Sequence, residues 1–578
     1  MNADLFYGGR PDTSSEDSDD SDFSVSSDDP GDDLSDESEE SETGEDQDEQ
    51  DETPDGNDSS GRNGNSTRPE WLPVSSKQRM HAFTGKEEMS VTVNNADDET
   101  EVLPIDLYAL FVSDTIIDMI VLETNRYAQQ KIDAARVTRR SRLVSWKPTD
   151  REEMKRFFGI VIYMGLVVKP EIQLYWSKST LYDDPFVPKL MSRERFEILY
   201  RCLHFVDNTA HLNSQDKLYK VRPLIDLLVN NFQSVYKPGS KLVVDESMVP
   251  FRGRLDIKQY IPGKAHKYGM KVYKACTPEG YTWNLEVHVG KGDNTAGLNS
   301  TESRVVNLCN EMLGKGCTIY SDNYYTSVIL AEYLLVKKTY ICGTVRPGRK
   351  YLCKEVVKAK LKKGEMKAAE NRQGVKLYKW KDKRDVLTLS TVPEHGNGLL
   401  PSGKKNRKGE EIVKPESVIE YNKAKKGVDV ADQLSSYYSP LRKSRKWYRK
   451  LALEMIAGIS VTNAQILFNK YCSAKQVGVR AFTESVVLSL TKNIHEEITR
   501  SGKRTSDISG ARKEHTLQEA DGQKKNTRKR CRGCYEKISQ SEGYKVATNK
   551  ARRVSTFCNE CDGQPHLCIP CFNEKHDA

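Results

Sequence analysis

Three stretches of the chain carry aspartates in settings where carboxylates could hold a metal ion. An apolar run leads into Asp245, a second strand-like run leads into Asp322, and Gly427-Val-Asp-Val-Ala-Asp-Gln433 opens a helical pattern with Asp429 and Asp432. A lone aspartate at a strand end is usually a turn residue or a cap. Three such stretches together favour one carboxylate cluster. It would hold two Mg²⁺ or Mn²⁺ ions about 3.5–4 Å apart for chemistry at a phosphodiester.

Such a cluster is itself negative, so nearby cations must hold the phosphates of a nucleic acid. Cations follow both the first and the last aspartate, namely Arg252, Arg254, Lys264 and Lys267, and then Arg442, Lys443, Arg445, Lys446, Arg449 and Lys450. Trp447 stands inside the second run. Two interpretations of Trp447 stay open: its ring stacks on an unpaired base, or it anchors a helix.

The C-terminus carries the sharpest ligand spacing. It reads Cys531-x2-Cys534, then Cys558-x2-Cys561-x4-His566-x-Cys568-x2-Cys571-x4-His576. Eight ligands in four close pairs predict two tetrahedral Zn²⁺ ions. We expect an interleaved pairing, with Cys531, Cys534, His566 and Cys568 on one ion and the remaining four on the other. The spacing leaves open whether this module binds protein or DNA.

Charge is distributed very unevenly along the 578 residues. Residues 1–60 contain 24 Asp or Glu and one Arg, a net charge of −23, while the remainder carries 88 Lys and Arg against 59 Asp and Glu, a net charge of +29. An acidic tail on a basic body predicts a polyanionic partner, most simply nucleic acid. A lysine-rich surface that only aids solubility is the simpler alternative.

Residues 1–75 contain few apolar residues and are predicted to be disordered. Serines beside acidic residues, as at Ser35, Ser38 and Ser41, make an acidophilic kinase one expected partner; a solvated spacer is the other interpretation.

No secretory signal is present, and no apolar run is expected to span a membrane, so the sequence predicts an intracellular protein without a membrane partner. Reduced cysteines fit metal binding there. The basic run Lys524–Arg530 resembles a nuclear-import signal, a pattern that also arises by chance in basic chains.

Helical periodicity dominates residues 100–236. Apolar spacing predicts helices over 103–125, 150–165, 192–205 and 221–235, with Asp150 and Ser192 as N-caps.

After Lys237-Pro-Gly-Ser240 the pattern changes to three strands, then helix, strand, helix and strand. That is the order of an RNase H-like fold. Residues 346–415 are basic and strand-like, as expected of an insertion, and helices are predicted again over 448–471 and 482–490.

These motifs together resemble the piggyBac-type DNA transposases. The resemblance rests on Val244-Asp-Glu-Ser-Met-Val-Pro-Phe-Arg-Gly-Arg254, Tyr260-Ile-Pro-Gly-Lys-Ala-His-Lys-Tyr-Gly269, Ser321-Asp-Asn-Tyr-Tyr-Thr-Ser327, Cys342-Gly-Thr-Val-Arg346, the Tyr421–Gln433 stretch and the cysteine-rich end. Glu123-Thr-Asn-Arg-Tyr127 and Cys202-Leu-His-Phe205 match earlier in the chain. The likeness runs from about residue 75 to the end.

The resemblance implies an α/β fold with an RNase H-like core, a β-rich insertion, a flanking helical domain and a zinc module. The expected domains are a tail (1–75), a helical dimerisation and DNA-binding domain (76–237 and 437–500), the catalytic core (238–345 and 416–436), the insertion (346–415), a linker (501–526) and the zinc domain (527–578).

The resemblance also implies cut-and-paste transposition, with excision through hairpin ends and insertion at TTAA. Asp245, Asp322 and Asp429 would form the catalytic triad, with Asp432 assisting at the metal. Arg346 and Arg349 match basic contacts for target joining, and Trp447 matches a residue near the target. The expected setting is a homodimer on double-stranded DNA in the nucleus. A catalytically silent DNA-binding protein and a RING-like zinc protein are the rival interpretations.

Overall fold

The computed structural model describes residues 69–75, 80–91, 101–134, 142–211, 215–264, 266–290, 295, 297–405, 409, 411–444, 446–506, 516–520, 522, 527–559, 561 and 563–576, with the backbone alone at 134, 142, 211 and 493–506. The predicted acidic tail therefore lies outside the described residues up to position 68, as do Arg445 and residues 524–526 of the predicted import run. The chain divides into two compact units at residues 492 and 493, and each is described by itself.

Six helices precede the main strands. They are α1 (Pro104–Phe111), α2 (Asp114–Ala134), α3 (Arg151–Leu166), α4 (Val187–Leu190), α5 (Arg193–Cys202) and α6 (Arg222–Val235). Asp150 caps α3 by accepting from the backbone N–H of Glu153 at 2.8 Å, and Ser192 caps α5 in the same way, as the sequence predicts. The apolar faces of these helices are buried, which confirms the helical assignment of this region.

A ten-stranded mixed sheet forms the centre of this unit. The short strand β1 (Trp71–Leu72) belongs to this sheet, whereas β2 (Glu88–Met89) and β3 (Tyr236–Lys237) pair with each other. The next strands of the sheet are β4 (Lys241–Pro250), β5 (Lys258–Tyr260), β6 (Tyr268–Cys276), β7 (Thr282–Val287), β8 (Thr318–Ser321) and β9 (Tyr340–Thr344). Helices α7 (Ser300–Leu308) and α8 (Val328–Val336) connect β7 to β8 and β8 to β9.

Strand pairing follows the order β7-β6-β4-β8-β9. β4 pairs with β6 in antiparallel register and with β8 in parallel register, and β8 and β9 are also parallel. The short strand β5 pairs with β6 on the edge away from β4, over residues where the sequence predicts no strand.

The predicted insertion extends this sheet. Its elements are α9 (Lys354–Val357), β10 (Met366–Asn371), β11 (Lys376–Lys381), β12 (Asp385–Ser390), β13 (Leu399–Lys405) and β14 (Glu411–Pro415). β12 pairs with β9, β11 and β10 follow, and β1 pairs with β10 at the edge. Residues 71–72, predicted to lie in a disordered tail, are therefore part of the sheet.

Two helices cover one face of the sheet beside β4. They are α10 (Glu416–Ala424) and α11 (Gly427–Ser436). Val428 and Ala431 of α11 are buried against Val243 and Cys276. A Cβ on Gly427 would lie 2.5 Å from the carbonyl oxygen of Thr277, so glycine is what allows α11 to approach the sheet so closely.

A long helix follows, in which α12 (Trp447–Leu453) and α13 (Ser460–Leu467) alternate with π-helical segments Glu454–Ile459 and Phe468–Cys472. By length and composition it could cross a membrane, contrary to the expectation from sequence, but 89% of its apolar window is buried inside the protein. It is the core helix of this unit. Helix α14 (Val479–Ser506) comes next.

The second unit is small. Its elements are β15 (Leu517–Glu519), β16 (Lys529–Arg530), α15 (Arg532–Glu542), α16 (Tyr544–Lys550), β17 (Arg553–Val554), β18 (Thr556–Cys558) and α17 (Ile569–His576). Its largest buried cluster consists mostly of cysteines, so little apolar surface is available to hold it together.

Candidate active site

Asp245 and Asp322 are brought together by the parallel pairing of β4 and β8. Val244 of β4 is the register partner of Ser321 of β8. Asp245 directly follows Val244, and Asp322 directly follows Ser321. The Asp245 carboxylate accepts from the backbone N–H of Glu246 at 2.8 Å, and Asp322 accepts from the N–H of Tyr324 at 2.9 Å. These local bonds fix the two side chains at one edge of the strand pair.

The electrostatics of this edge suit a cation. Burial, and then the negative charges of Glu246 and Asp322, raise the pKa of Asp245 well above its usual range. Burial and Glu246 likewise raise the pKa of Asp322 to about 6. Burial and neighbouring negative charge thus disfavour the ionised forms of Asp245 and Asp322, a cost that a divalent cation removes. Hard oxygen donors are also the ligands that Mg²⁺ prefers.

Asp429 and Asp432 reach the same face of the sheet from α11. This helix packs on β4 and β6 with Val428 buried against the sheet. Asp429, the next residue, is exposed in the first turn of the helix. Asp432, one turn later, accepts from the Lys274 ammonium at 2.6 Å. Within the described residues, no three of these four carboxylates have oxygens all within 4.8 Å of one another. They lie on one face of the sheet without forming a closed ligand shell.

Glu246 is a further carboxylate here, which the spacing of the aspartate motifs does not single out. It accepts from the Tyr325 hydroxyl at 2.7 Å and lies 3.7 Å from the Lys271 ammonium. Its charge acts on both Asp245 and Asp322. Its position directly after Asp245 was the only sequence signal available, and alternation along a strand would assign it to the opposite face.

Three of the predicted basic residues lie beside these aspartates. The guanidinium of Arg346 donates to the Asn323 side chain at 3.2 Å, and that of Arg349 donates to the backbone carbonyls of Asn323 and Tyr324. The Lys264 ammonium donates to the carbonyl of Glu246 at 2.8 Å. Three cationic groups therefore lie next to the carboxylate edge.

The other predicted contacts divide between the surface and the interior. Arg252, Arg254, Lys267 and Lys443 are exposed, and Lys446, Trp447 and Lys450 are partly buried. Burial lowers the pKa of Lys450. The ring of Trp447 packs edge-on against Tyr448, which supports the helix-anchor interpretation without excluding the other.

Two arginines of the second basic run instead hold the protein together. Arg442 donates to the carbonyl of Lys169 at 2.7 Å and to the hydroxyl of Tyr175 at 2.6 Å. Arg449 is 4% exposed and donates to the carbonyls of Leu203 and Arg201. Arg449 is therefore not free to bind phosphate, contrary to the interpretation of that run as a flanking cation cluster.

The second unit contains two groups of candidate metal ligands. Cys531, Cys534, Cys568 and Cys571 form one, and Cys558, Cys561 and His576 form the other. Sulfur–sulfur distances in the first group are 3.6 Å from Cys531 to Cys568 and 3.7 Å from Cys534 to both Cys568 and Cys571. A Zn–S bond of about 2.3 Å gives a tetrahedron edge of about 3.8 Å, so this group fits Zn²⁺.

The predicted pairing of these ligands is wrong in part. Cys571, not His566, joins Cys531, Cys534 and Cys568. Gly533 permits this, because a Cβ there would lie 2.8 Å from the Cys571 sulfur. In the second group, the Cys561 sulfur lies 3.6 Å from Nε2 of His576. His566 belongs to neither group; its Nδ1 lies 3.3 Å from the carbonyl oxygen of Val554.

Comparisons with known proteins agree with one another. The sequence model of the family described as Transposase IS4 matches residues 103–465. PiggyBac transposable element-derived protein 3 of Homo sapiens is 29% identical over 360 residues, which cover 60% of this chain and 58% of that protein. PiggyBac transposable element-derived protein 2 of Homo sapiens is 28% identical over 421 residues, which cover 70% and 68%.

One solved structure is similar to this protein over most of the length of both chains. It is a cryo-EM structure of a piggyBac transposase synaptic complex with hairpin DNA, with a TM-score of 0.60 and 25% sequence identity. The similarity covers 81% of this chain and 95% of that one.

Proposed function

The chain belongs to the piggyBac-type DNA transposase family, and from this premise we propose that it is a cut-and-paste transposase that excises DNA through hairpin ends and inserts it at TTAA. The observation that carries the proposal is the position of Asp245 and Asp322 at one level of two parallel strands, with α11 bringing Asp429 to the same face. The hairpin DNA in the similar synaptic complex supports the route through hairpins.

In this proposal the catalytic core is RNase H-like. Support comes from the strand order β7-β6-β4-β8-β9, with three antiparallel strands followed by two parallel ones reached through helices. The parallel strands β4 and β8 lead into Asp245 and Asp322. Helix α11, after the insertion, carries Asp429.

The reaction we propose is hydrolytic nicking, attack of the freed 3′-OH to form a hairpin, hairpin opening, and strand transfer. Asp245, Asp322 and Asp429 would hold Mg²⁺ or Mn²⁺, which when bound activates the attacking oxygen and stabilises the leaving one. The carboxylates set where the reacting phosphodiester must lie. Arg346, Arg349 and Lys264 would hold its phosphates close to them, and Glu246 would add negative charge that strengthens cation binding.

The second unit would bind two Zn²⁺ ions, which supply the folding free energy that its small core lacks, and would bind transposon-end DNA. Basic residues near its cysteines, such as Arg528 and Arg553, support a nucleic-acid partner. Action on chromosomal DNA implies the nucleus as the working compartment. The homodimer and the acidophilic kinase stay predictions from sequence.

A plasmid excision assay in cells tests the proposal. The donor plasmid carries the element ends that flank the coding sequence. The wild-type protein is compared with the variants Asp245→Ala, Asp322→Ala and Asp429→Ala. We expect wild type to excise the element and restore a single TTAA, and each variant to lose excision. Binding of the element's ends without excision by wild type would identify a catalytically silent DNA-binding protein.

A further inference from the structure

The buried ammonium of Lys274 occupies the same sheet face as the candidate active site. Lys274 is the register partner of Asp245 in the antiparallel pair of β6 with β4, and partners in a register point to the same face. Its side chain is 3% exposed. A buried lysine needs an anionic partner, because an unpaired charge in the interior is costly.

Asp432 is that partner. The Lys274 ammonium donates to Oδ1 of Asp432 at 2.6 Å, while the aspartate side chain remains 36% exposed. Cys276, two residues after Lys274 on the strand, is buried against Val428 and Ala431 of α11. The ion pair and the apolar contacts therefore attach α11 to β6 from the same side.

A third charged group adjoins the pair. Glu454 starts the π-helical segment of the core helix, and α11 packs against that segment. Burial raises the pKa of Glu454, the Lys274 charge opposes that rise, and the Asp432 charge adds to it. The Lys274 charge thus interacts with carboxylates from two helices, Asp432 of α11 and Glu454 of the core helix.

We infer that Asp432 is a positioning residue bound to Lys274, not a ligand of the catalytic cation, and that the Lys274–Asp432 pair fixes α11 so that Asp429 faces Asp245. This inference rests on the proposed function. An ammonium and a divalent cation compete for the same carboxylate, and Lys274 already holds Asp432. Asp429 lies one turn earlier on the same helix and is exposed, so it is the residue of α11 that is available to a cation.

A double-mutant cycle distinguishes a positioning role from a ligand role. Full-length, zinc-loaded protein is titrated with Mn²⁺ and free ion is followed by electron paramagnetic resonance, in parallel with nicking of DNA that carries the element's ends. We expect Lys274→Met and Asp432→Asn each to weaken Mn²⁺ binding and slow nicking roughly tenfold, and the double variant to be no worse than either single one.

A ligand role predicts opposite signs. Removing Lys274 would then release Asp432 and tighten Mn²⁺ binding, while Asp432→Asn would weaken it. That result, or additive losses in the double variant, would overturn the inference. Lys274→Arg, which keeps the charge, should retain most of the nicking rate. Should Lys274→Met not fold, Lys274→Gln takes its place in the cycle.

Two reference variants make the outcome specific. Lys241→Met breaks a 2.6 Å ion pair between Lys241 of β4 and Glu420 of α10. It tests whether the loss of any strand–helix ion pair weakens Mn²⁺ binding. We expect no change in Mn²⁺ binding. Asp429→Asn should lose Mn²⁺ binding and nicking. If Asp429→Asn changes neither, the proposed function fails. If Asp429→Asn loses Mn²⁺ binding and nicking, while the Lys274 and Asp432 variants change Mn²⁺ binding in opposite directions, only this inference fails.

Discussion

Asp245 and Asp322 stand side by side because Val244 and Ser321, the residues before them, are register partners in adjacent parallel strands. Since side chains alternate along a strand, a shift of one residue between β4 and β8 would send one carboxylate to the other face. The site therefore depends on the strand pairing as much as on the aspartates. Burial at this edge makes the negative charges costly without a cation.

Divalent ions should stabilise the folded protein through these carboxylates. Because a bound cation relieves the repulsion among Asp245, Asp322 and Glu246, we expect millimolar Mn²⁺ to raise the melting temperature of ion-free wild type by about 2–4 °C or more. Asp245→Asn should show a higher melting temperature than wild type without the ion and little further rise with it. Differential scanning fluorimetry measures both effects.

Asp256→Asn is the matched control, because Asp256 is exposed in the turn after β4 and should leave the Mn²⁺ response at the wild-type value. An equal response in Asp245→Asn and wild type would contradict a cation site at this edge.

The basic residues should separate into two classes in solution. Lys267 is exposed, so Lys267→Ala should leave the melting temperature unchanged and reduce the slope of log affinity for DNA against log salt by about 0.9 per lost phosphate contact. Arg449 is buried and bonded to two carbonyls, so Arg449→Met should cost about 1–3 kcal/mol of stability.

Fluorescence-anisotropy titrations at several salt concentrations and urea unfolding measure these two effects. A changed salt slope in Arg449→Met with unchanged stability would show that its guanidinium contacts DNA after all.

Periodicity was enough to predict most of the first unit. The helices at 104–134, 151–166, 193–202 and 222–235 and the longer strands between Lys241 and Thr344 follow patterns of 3.6 and 2 residues, and Asp150 and Ser192 are ordinary N-caps. The edge strands Trp71–Leu72 and Lys258–Tyr260 could not be predicted, since two or three residues show no period. Their pairing is decided by the strands beside them.

The candidate site was less predictable than the fold. Spacing singled out Asp245, Asp322 and Asp429. Lys274 takes part through strand register and Glu246 through its charge, and one sequence reveals neither. Arg442 and Arg449 had the same sequence signature as the exposed cations around them. Only their contacts with Tyr175 and Leu203, more than 200 residues away in the chain, distinguish them.

His204, in the Cys202–Phe205 motif, should make the protein sensitive to acid. Its ring stacks on Tyr127 at 4.2 Å, and burial lowers its pKa to about 4 from an ordinary value of 6.5. A lowered pKa in the folded state means that stability is complete above about pH 6.5 and is lost as the pH falls toward 4. We expect wild type to lose about 2 kcal/mol at pH 5 from this group.

His204→Phe keeps an aromatic ring against Tyr127 but has no proton to gain, so its unfolding free energy should fall less between pH 7 and pH 5. Urea unfolding at the two pH values measures this, with His266→Phe at an exposed position as the control. Equal losses in His204→Phe and wild type would assign the acid sensitivity to other groups.

The cysteine grouping in the second unit predicts which substitutions lose the same zinc ion. Cys571→Ser and Cys534→Ser remove ligands of one group, whereas Cys561→Ser removes a ligand of the other. Each should lower the zinc content from two ions to about one, measured by elemental analysis of the full chain. Substitution with Co²⁺ then separates them, because a site with four thiolates has stronger charge-transfer absorption than one that includes histidine.

Cys571→Ser should retain only the Co²⁺ spectrum of the histidine-containing site. Cys561→Ser should retain only the spectrum of the four-thiolate site. Cys472→Ser, outside the module, should retain both ions. If Cys571→Ser and Cys561→Ser instead lost the same ion, the pairing expected from spacing alone, with His566 beside Cys531 and Cys534, would be right and the structural grouping wrong.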